Sequence, residues 1–321
     1  MLRVTGLFIY PVKSLRGLAV TSADVDARGF AGDRRFLVVD RDNRFLTQRV
    51  LPRMALIETA LADGELVLSS SRAGSIRVPL SQKAQESGPR AQGPGTKDPS
   101  SSKPQASESG FRTPEPRTPN PEPRTRVVTV WQDTVTAEDC GDEPAAWLSA
   151  FLGQPCRLVR AGDAYSRPIP ARRIPPGLGL PPDQPSSLDP RPSTDHEVSF
   201  ADGYPFLLIG EESLADLNAR LAAPLPMNRF RPSLVVAGGA PYAEDAGTRF
   251  RIGDVVFHGA TRCGRCVVTT TDQLTAERAP EPLRTLATYR RDADGDVMFG
   301  RNLIHETKSG RVAVGDAVEL L

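Results

Sequence analysis

The chain has 321 residues, 40 basic and 39 acidic side chains and a formal net charge of +1, with 39% apolar residues. That length suggests about two domains, or one large all-β unit, with enough apolar material for a substantial core. The near-neutral balance argues against a nucleic-acid partner, because such affinity rests on many phosphates neutralised by clustered Lys and Arg; it leaves room for a local basic pocket.

The N-terminus, MLRVTGLFIYPVKS, has charges on both sides of a very short apolar run and no small-residue cleavage pattern, so it does not read as a secretory signal. No stretch approaches the ~18 apolar residues needed to span a bilayer. The expectation is a cytoplasmic protein with no membrane partner. Residues 2–10 alternate as a strand that Pro11 breaks. Residues 36–39 and 44–47 flank Asp-Arg-Asp-Asn, and 56–61 and 65–68 flank Asp63-Gly64, two hairpin signals. Residues 127–131 and 134–136 flank Gln132-Asp133, a third. This hairpin-rich run predicts a first β domain over residues 1–139.

Residues 81–126 interrupt it. They hold nine prolines, and Phe111 is their one large apolar side chain. Such a segment buries too little surface to offset its ordering entropy, so it reads as a disordered insertion. Residues 168–192 carry nine more prolines but keep Ile174, Leu178 and Leu180, which reads as an ordered flap able to roof a pocket.

Helices are expected over 142–152, with an acidic first turn and Gly153 as a stop, over 213–221, with a capping-box-like start, and over 281–290. Strands are expected at 206–209, 233–236, 250–257, 266–271 and 311–320. Residues 140–321 therefore read as a second, barrel-like β domain with a few covering helices, and the chain as mainly β of the α+β class.

No GxGxxG follows a strand, no GxxxxGK[ST] and no HExxH occurs, and His196, His258 and His305 are too few for a His-based metal cluster. Four cysteines, Cys140, Cys156, Cys263 and Cys266, do not make a disulfide framework. Cys263 and Cys266 form one CxxC with Arg262 and Arg265 around it. A structural zinc needs about four ligands, and one pair is present. A dithiol redox pair opens a helix, whereas β-branched residues follow Cys266 and predict a strand. A third reading is a single thiolate beside cations that favour the anion, which suits a soft transition metal. A fourth is a pair of buried structural thiols. Lys13 and Ser14, Arg34, and Arg231 stand at strand edges next to Pro and Gly, a placement that suits a phosphorylated ligand.

Taken together, YPVKSLRG, GDRRFLVVD, FADGYPFLLI, NRFRPSLVV, CGRCVVTTTD and VMFGRNL resemble, in that order, the MOSC family, the molybdenum-cofactor sulfurase C-terminal domains with their N-terminal β-barrel partner. The likeness is closest to the amidoxime-reducing component branch. The resemblance implies a molybdopterin cofactor whose molybdenum takes one protein ligand, Cys266, with Cys263 a non-ligand neighbour. It places Lys13, Ser14 and Arg34 on the pterin and phosphate, Asp202, Gly203 and Tyr204 in a bordering loop, and Arg231, Ser233, Arg265 and Asn302 at further cofactor positions. Ser233 stands where the family carries Asn, Leu274 where it carries Pro, and Arg301 where it carries Gln. The implied activity is reduction of N-hydroxylated compounds such as amidoximes, hydroxylamines or hydroxylaminopurines, with electrons from a separate ferredoxin-like protein or flavin reductase. A sulfur or cofactor carrier, or a pyridoxal-phosphate binder with Lys13 as the Schiff-base lysine, are the rival implications.

Overall fold

A computed structural model describes residues 1–81, 124–178 and 196–321. The chain opens on β1 (Arg3–Ile9), which buries Val4, Leu7 and Ile9 and stops before Pro11. β2 (Leu18–Val20), β3 (Ser22–Asp26), β4 (Gly29–Phe30) and β5 (Phe36–Asp40) follow, and the apolar run of β5 is buried on both faces. A meander, β6 (Glu58–Ala62), β7 (Glu65–Ser70) and β8 (Gly74–Pro79), turns first through Asp63-Gly64, both at positive φ. β9 (Thr125–Val130) and β10 (Asp133–Asp139) form the next hairpin. Its turn is Trp131-Gln132, one residue earlier than expected, since Asp133 pairs with Val130. Of residues 44–47, Arg44 and Phe45 form isolated bridges and no strand forms.

α1 (Asp142–Leu152) matches its expected bounds, with Gly153 at φ 76 accepting the left-handed stop. β11 (Cys156–Arg160), β12 (Phe206–Gly210), α2 (Glu211–Ala219) and β13 (Leu234–Ala237) come next, then β14 (Arg249–Ile252) and β15 (Val255–Gly264). α3 (Leu283–Leu286), β16 (Met298–His305), β17 (Gly310–Ala313) and β18 (Val318–Leu320) complete the described elements.

An eight-stranded sheet runs β18-β14-β15-β16-β12-β13-β1-β2. Its pairings are antiparallel except β12 with β13, a parallel step with α2 as its crossover. A four-stranded sheet runs β5-β11-β10-β9, and two three-stranded sheets run β17-β3-β4 and β6-β7-β8. β1 pairs with β13 and β5 with β11, so strand pairing crosses the expected boundary at 139/140. Phe206, Phe250, Phe257, Leu208 and Leu303 fill the core of the large sheet. Phe36, Met54, Leu66, Leu148 and Phe151 fill a second core under α1.

Several expectations are corrected. α2 starts two residues early and Ser213 is no cap; its hydroxyl donates to Glu244 at 2.8 Å and accepts from the Tyr242 amide at 2.7 Å. The expected helix at 281–290 shrinks to Leu283–Leu286 between Pro282 and a run of tighter turns. Residues 250–257 split at Gly253 (φ 53), and 311–320 split around Gly315 (φ 100). No strand follows Cys266: Val267–Thr270 is a single 3-10 turn, with Thr269, Thr270 and Thr271 buried. Of the expected insertion, Thr125 and Arg126 belong to β9, and residues 82–123 lie outside the described residues, as do 179–195 of the flap.

Candidate functional site: a cation-lined basin beside Cys266

The loop after β1, the segment entering β12, the turn before β13, the end of β15 and one face of β16 enclose a basin of about 840 Å³ counted to its open mouth. It gathers residues that lie up to 289 positions apart, from Lys13 to Asn302. Lys13, Ser14 and Arg34 line it from the first segment, and Asp202, Gly203 and Tyr204 from the second. Arg231, Arg265, Cys266 and Asn302 complete the expected set. Ser233 is the exception. It is fully buried behind the wall, where its amide donates to the Leu207 carbonyl at 2.8 Å and its carbonyl accepts from the Phe8 amide at 3.0 Å. The structure corrects it to a strand-joining residue.

Among the described residues five cations, Lys13, Arg34, Arg49, Arg231 and Arg265, face one carboxylate, Asp202, across this space. Like charges at such density repel, and the fold offsets that by seating each one near an aromatic ring. Arg34 and Arg231 lie over Tyr10, with 4.8 and 4.2 Å to its centroid. Arg49 lies over Trp131 at 4.5 Å, Arg265 over Phe230 at 5.6 Å and Lys13 over Phe45 at 5.7 Å. Tyr10 is itself fixed by donating to the Pro232 carbonyl at 3.0 Å.

Acceptors are shared out unevenly. Lys13 Nζ donates to the Phe200 carbonyl at 2.8 Å and pairs with Asp202. Arg34 pairs with buried Asp33, whose other oxygen accepts from the Tyr10 amide at 2.7 Å. Arg265 donates to the Phe230 carbonyl at 2.6 Å and to Cys263 Sγ at 3.1 Å, and its Nε is buried with no partner. Among the described residues the Arg231 guanidinium donates to no protein acceptor.

The backbone is bent to build this wall. Ser14 (φ 67), Arg34 (φ 50) and Arg231 (φ 54) all adopt the left-handed region, which non-glycine residues avoid. Such strain, of order 1 kcal/mol or more each, collects where a site dictates geometry.

Titration follows from enclosure. Burial lowers Lys13 from 10.5 to about 8, although Asp202 pulls the other way. Burial also lowers Arg231 to about 10 and raises Tyr10 to about 12. Enclosure raises Asp202, but the charges of Lys13 and Arg49 outweigh it and hold that carboxyl below its usual range. For Arg34 burial opposes the charge, and Asp33 more than compensates.

Both cysteines of the CxxC line the basin, but differently. Cys263, the penultimate residue of β15, receives the Arg265 guanidinium and packs beside Phe230 and Phe299. Cys266 is extended (φ −121, ψ 178); its carbonyl accepts from the Thr269 amide at 3.1 Å and hydroxyl at 3.0 Å, while its thiol makes no protein hydrogen bond among the described residues. The arginine expected beside Cys266 therefore contacts its neighbour instead. Cys263 lies in a strand and Cys266 caps the 3-10 turn of Val267–Thr270, so the two thiols do not share the first turn of an α-helix as a dithiol redox pair does. Among the described residues no three His, Cys, Asp or Glu side chains converge as a metal cluster.

Sequence reasoning missed Arg49 and the apolar wall of Phe206, Leu207 and Phe230. Arg49 follows Gln48 in a loop with no motif of its own. Its signal is tertiary: Arg278 grips the Gln48 and Arg49 carbonyls and swings this loop to the mouth.

Two family descriptions match the chain, the MOSC N-terminal beta barrel domain over residues 1–106 and the MOSC domain over residues 195–319. Mitochondrial amidoxime-reducing component 1 of Homo sapiens is 31% identical, over 99% of this chain and 82% of its own length. The same component of Mus musculus is 30% identical over the same shares. The molybdenum cofactor sulfurase of Danio rerio is 32% identical over 95% of this chain, which spans 32% of that longer protein.

Proposed function

The chain belongs to the MOSC family, and from that premise we propose that it is a molybdenum-cofactor-dependent oxidoreductase that reduces N-hydroxylated compounds such as amidoximes and hydroxylamines. The observation that carries this reading is the Cys266 thiol, without a protein partner among the described residues, on the wall of a basin that these residues line with one carboxylate and five cations. The donor set fits the group. Arg231 has guanidinium hydrogens without acceptors and Arg265 a buried unpaired Nε, as a wall built for an anionic pterin phosphate requires. A lone thiolate suits a metal whose other ligands come from an organic chelator. Bound there, the molybdenum–pterin group supplies a two-electron couple able to take the oxygen of an N–OH group.

The chain's share is placement and exclusion. Cys266 offers the single protein ligand. Lys13, Arg34 and Arg231 hold phosphate and pterin from fixed, aromatic-backed positions, so little side-chain entropy is lost on binding. Phe206, Leu207 and Phe230 exclude water from the floor. Asn302 donates through Nδ2 to Thr261 Oγ1 at 3.2 Å, which leaves its carbonyl oxygen to accept from a substrate N–H or O–H. Electrons arrive from a separate donor, a ferredoxin-like protein or a flavin reductase.

A carrier of sulfur or cofactor is the second reading, favoured by the likeness to the sulfurase. The Schiff-base role for Lys13 finds no support in the geometry, since its Nζ is already engaged by Phe200 and Asp202. Reduction of benzamidoxime by cofactor-loaded protein with a reduced viologen dye separates the first two. Turnover supports the reductase; a loaded protein that leaves the substrate untouched and hands its cofactor to an acceptor protein supports the carrier.

A further inference from the structure

We propose that Arg49, held over Trp131 at the mouth of the basin, is a stacking lip that selects flat, π-rich N-hydroxylated substrates over small aliphatic ones. This rests on the reductase reading and names the substrate class within it.

Trp131 occupies the tip of the β9–β10 hairpin at φ 60. A two-residue turn at that φ favours Gly, Asn or Asp, and a bulky aromatic there is strained. The strained residue is also exposed, at 43%. Nothing in the hairpin itself calls for an indole. What holds it lies across the basin edge. Nε1 donates to Asp202 Oδ1 at 3.2 Å, Phe45 packs against the ring at 5.0 Å between centroids, and Arg49 lies over it at 4.5 Å. The tip thus reaches across to two lining residues, Asp202 and Arg49.

Arg49 is restrained from three sides. Its carbonyl accepts from Arg278 at 2.8 Å, its guanidinium approaches Asp202 at 3.5 Å, and its Cζ sits over the indole, 4.5 Å from the ring centroid. Its side chain is 27% exposed, against 6% for Lys13 and 15% for Arg34. It is therefore an outer cation, placed where an incoming molecule passes rather than where a deep phosphate rests. A guanidinium held against one aromatic ring stacks readily on a second, delocalised one. An aryl amidoxime or an N-hydroxylated nucleobase supplies that ring; a methyl group does not. Arg49 would touch the substrate, and Trp131 acts through it as a positioning residue.

The test compares benzamidoxime with acetamidoxime in the loaded wild type and in Trp131→Gly, Trp131→Phe and Arg49→Lys, with molybdenum content measured for each. Glycine relieves the strained turn, so that variant is expected to fold. The expected result for Trp131→Gly is a KM for benzamidoxime about tenfold higher, with kcat within about twofold and acetamidoxime kinetics unchanged, and Arg49→Lys raises KM more for benzamidoxime than for acetamidoxime. Trp131→Phe recovers most of the loss. Titration calorimetry of benzamidoxime into wild-type and Trp131→Gly protein gives an independent readout, with affinity about tenfold weaker in the variant. Equal losses for both substrates, or an unchanged KM with unchanged calorimetric affinity, would overturn the lip. A wild type that reduces neither substrate, with the calorimetric difference intact, would refute the reductase reading and leave the lip standing.

Discussion

Replacing Asp202 with Asn isolates the electrostatics of the basin in one atom exchange. Lys13 is 5% exposed, and burial brings it from 10.5 to about 8. At 1.36 kcal/mol per tenfold, that fall corresponds to about 3 kcal/mol against carrying the ammonium in the folded chain. Asp202 opposes the fall. A contact pair at an effective dielectric near 20 is worth at most about 4 kcal/mol. The Asp202 side chain is 59% exposed, so solvent screening cuts the working value to about 1–1.5 kcal/mol. Loss of the carboxylate should therefore move the Lys13 midpoint down by about one pH unit. Competitive acetylation read by mass spectrometry, with the Lys13 peptide followed against pH, measures it directly. Wild type should show a midpoint near 8, and Asp202→Asn one clearly lower. A wild-type midpoint at the ordinary lysine value, or no movement in the variant, would refute the reasoning. The sign for stability follows. Between about pH 8 and 10 the unfolded chain keeps the Lys13 proton that the folded chain has released, so this group makes the protein more stable as pH rises through that window. Above pH 10 Tyr10, raised to about 12 by burial, reverses the trend, because the unfolded phenol ionises first.

Tyr10→Leu removes the ring under Arg34 and Arg231 and the hydrogen bond to Pro232; denaturant titration should show a loss of about 2–4 kcal/mol, and phosphate affinity should fall with it. A loss under about 0.5 kcal/mol would mean that the ring is not their seat. Gly17→Ala acts on the same ring from outside the basin, since a Cβ there would meet Tyr10 Cε1 at 2.3 Å and Cδ1 at 2.5 Å. It should cost about 1–3 kcal/mol and weaken phosphate binding, and wild-type values for both would contradict the contact. Ser233→Asn restores the residue that the family resemblance leads one to expect, but in a fully buried strand joint. Thermal melting should show destabilisation by about 1–3 kcal/mol, with no gain in anion affinity.

Much of the site was legible because its residues sit in short, ordered strings with strong local character. YPVKS ends a strand at a proline, and NRFRP precedes one, so Lys13, Ser14 and Arg231 could be placed at strand ends from sequence. α1 was legible to the residue because acidic, proline and glycine signals all agreed. The turn after Cys266 was not, because Val267, Val268 and three threonines carry strand propensity that tertiary burial of Thr269–Thr271 overrides. Ser233 was misplaced because a motif position says nothing about which side of a wall a short side chain faces. Arg49 and Trp131 escaped because their roles arise from loops brought together by Arg278 and Asp202. The two-domain reading did not anticipate that β1 joins the sheet of the second half, since long-range pairing leaves no local trace.

Metal and pterin analysis of protein from a cofactor-competent host, comparing wild type with Cys266→Ser and Cys263→Ser, bears most directly on how the basin is used. Molybdenum and pterin should co-purify with wild type and with Cys263→Ser, whereas Cys266→Ser should lose the metal while remaining folded. Molybdenum retained in full by Cys266→Ser, or lost equally from both variants, would contradict Cys266 as the single protein ligand.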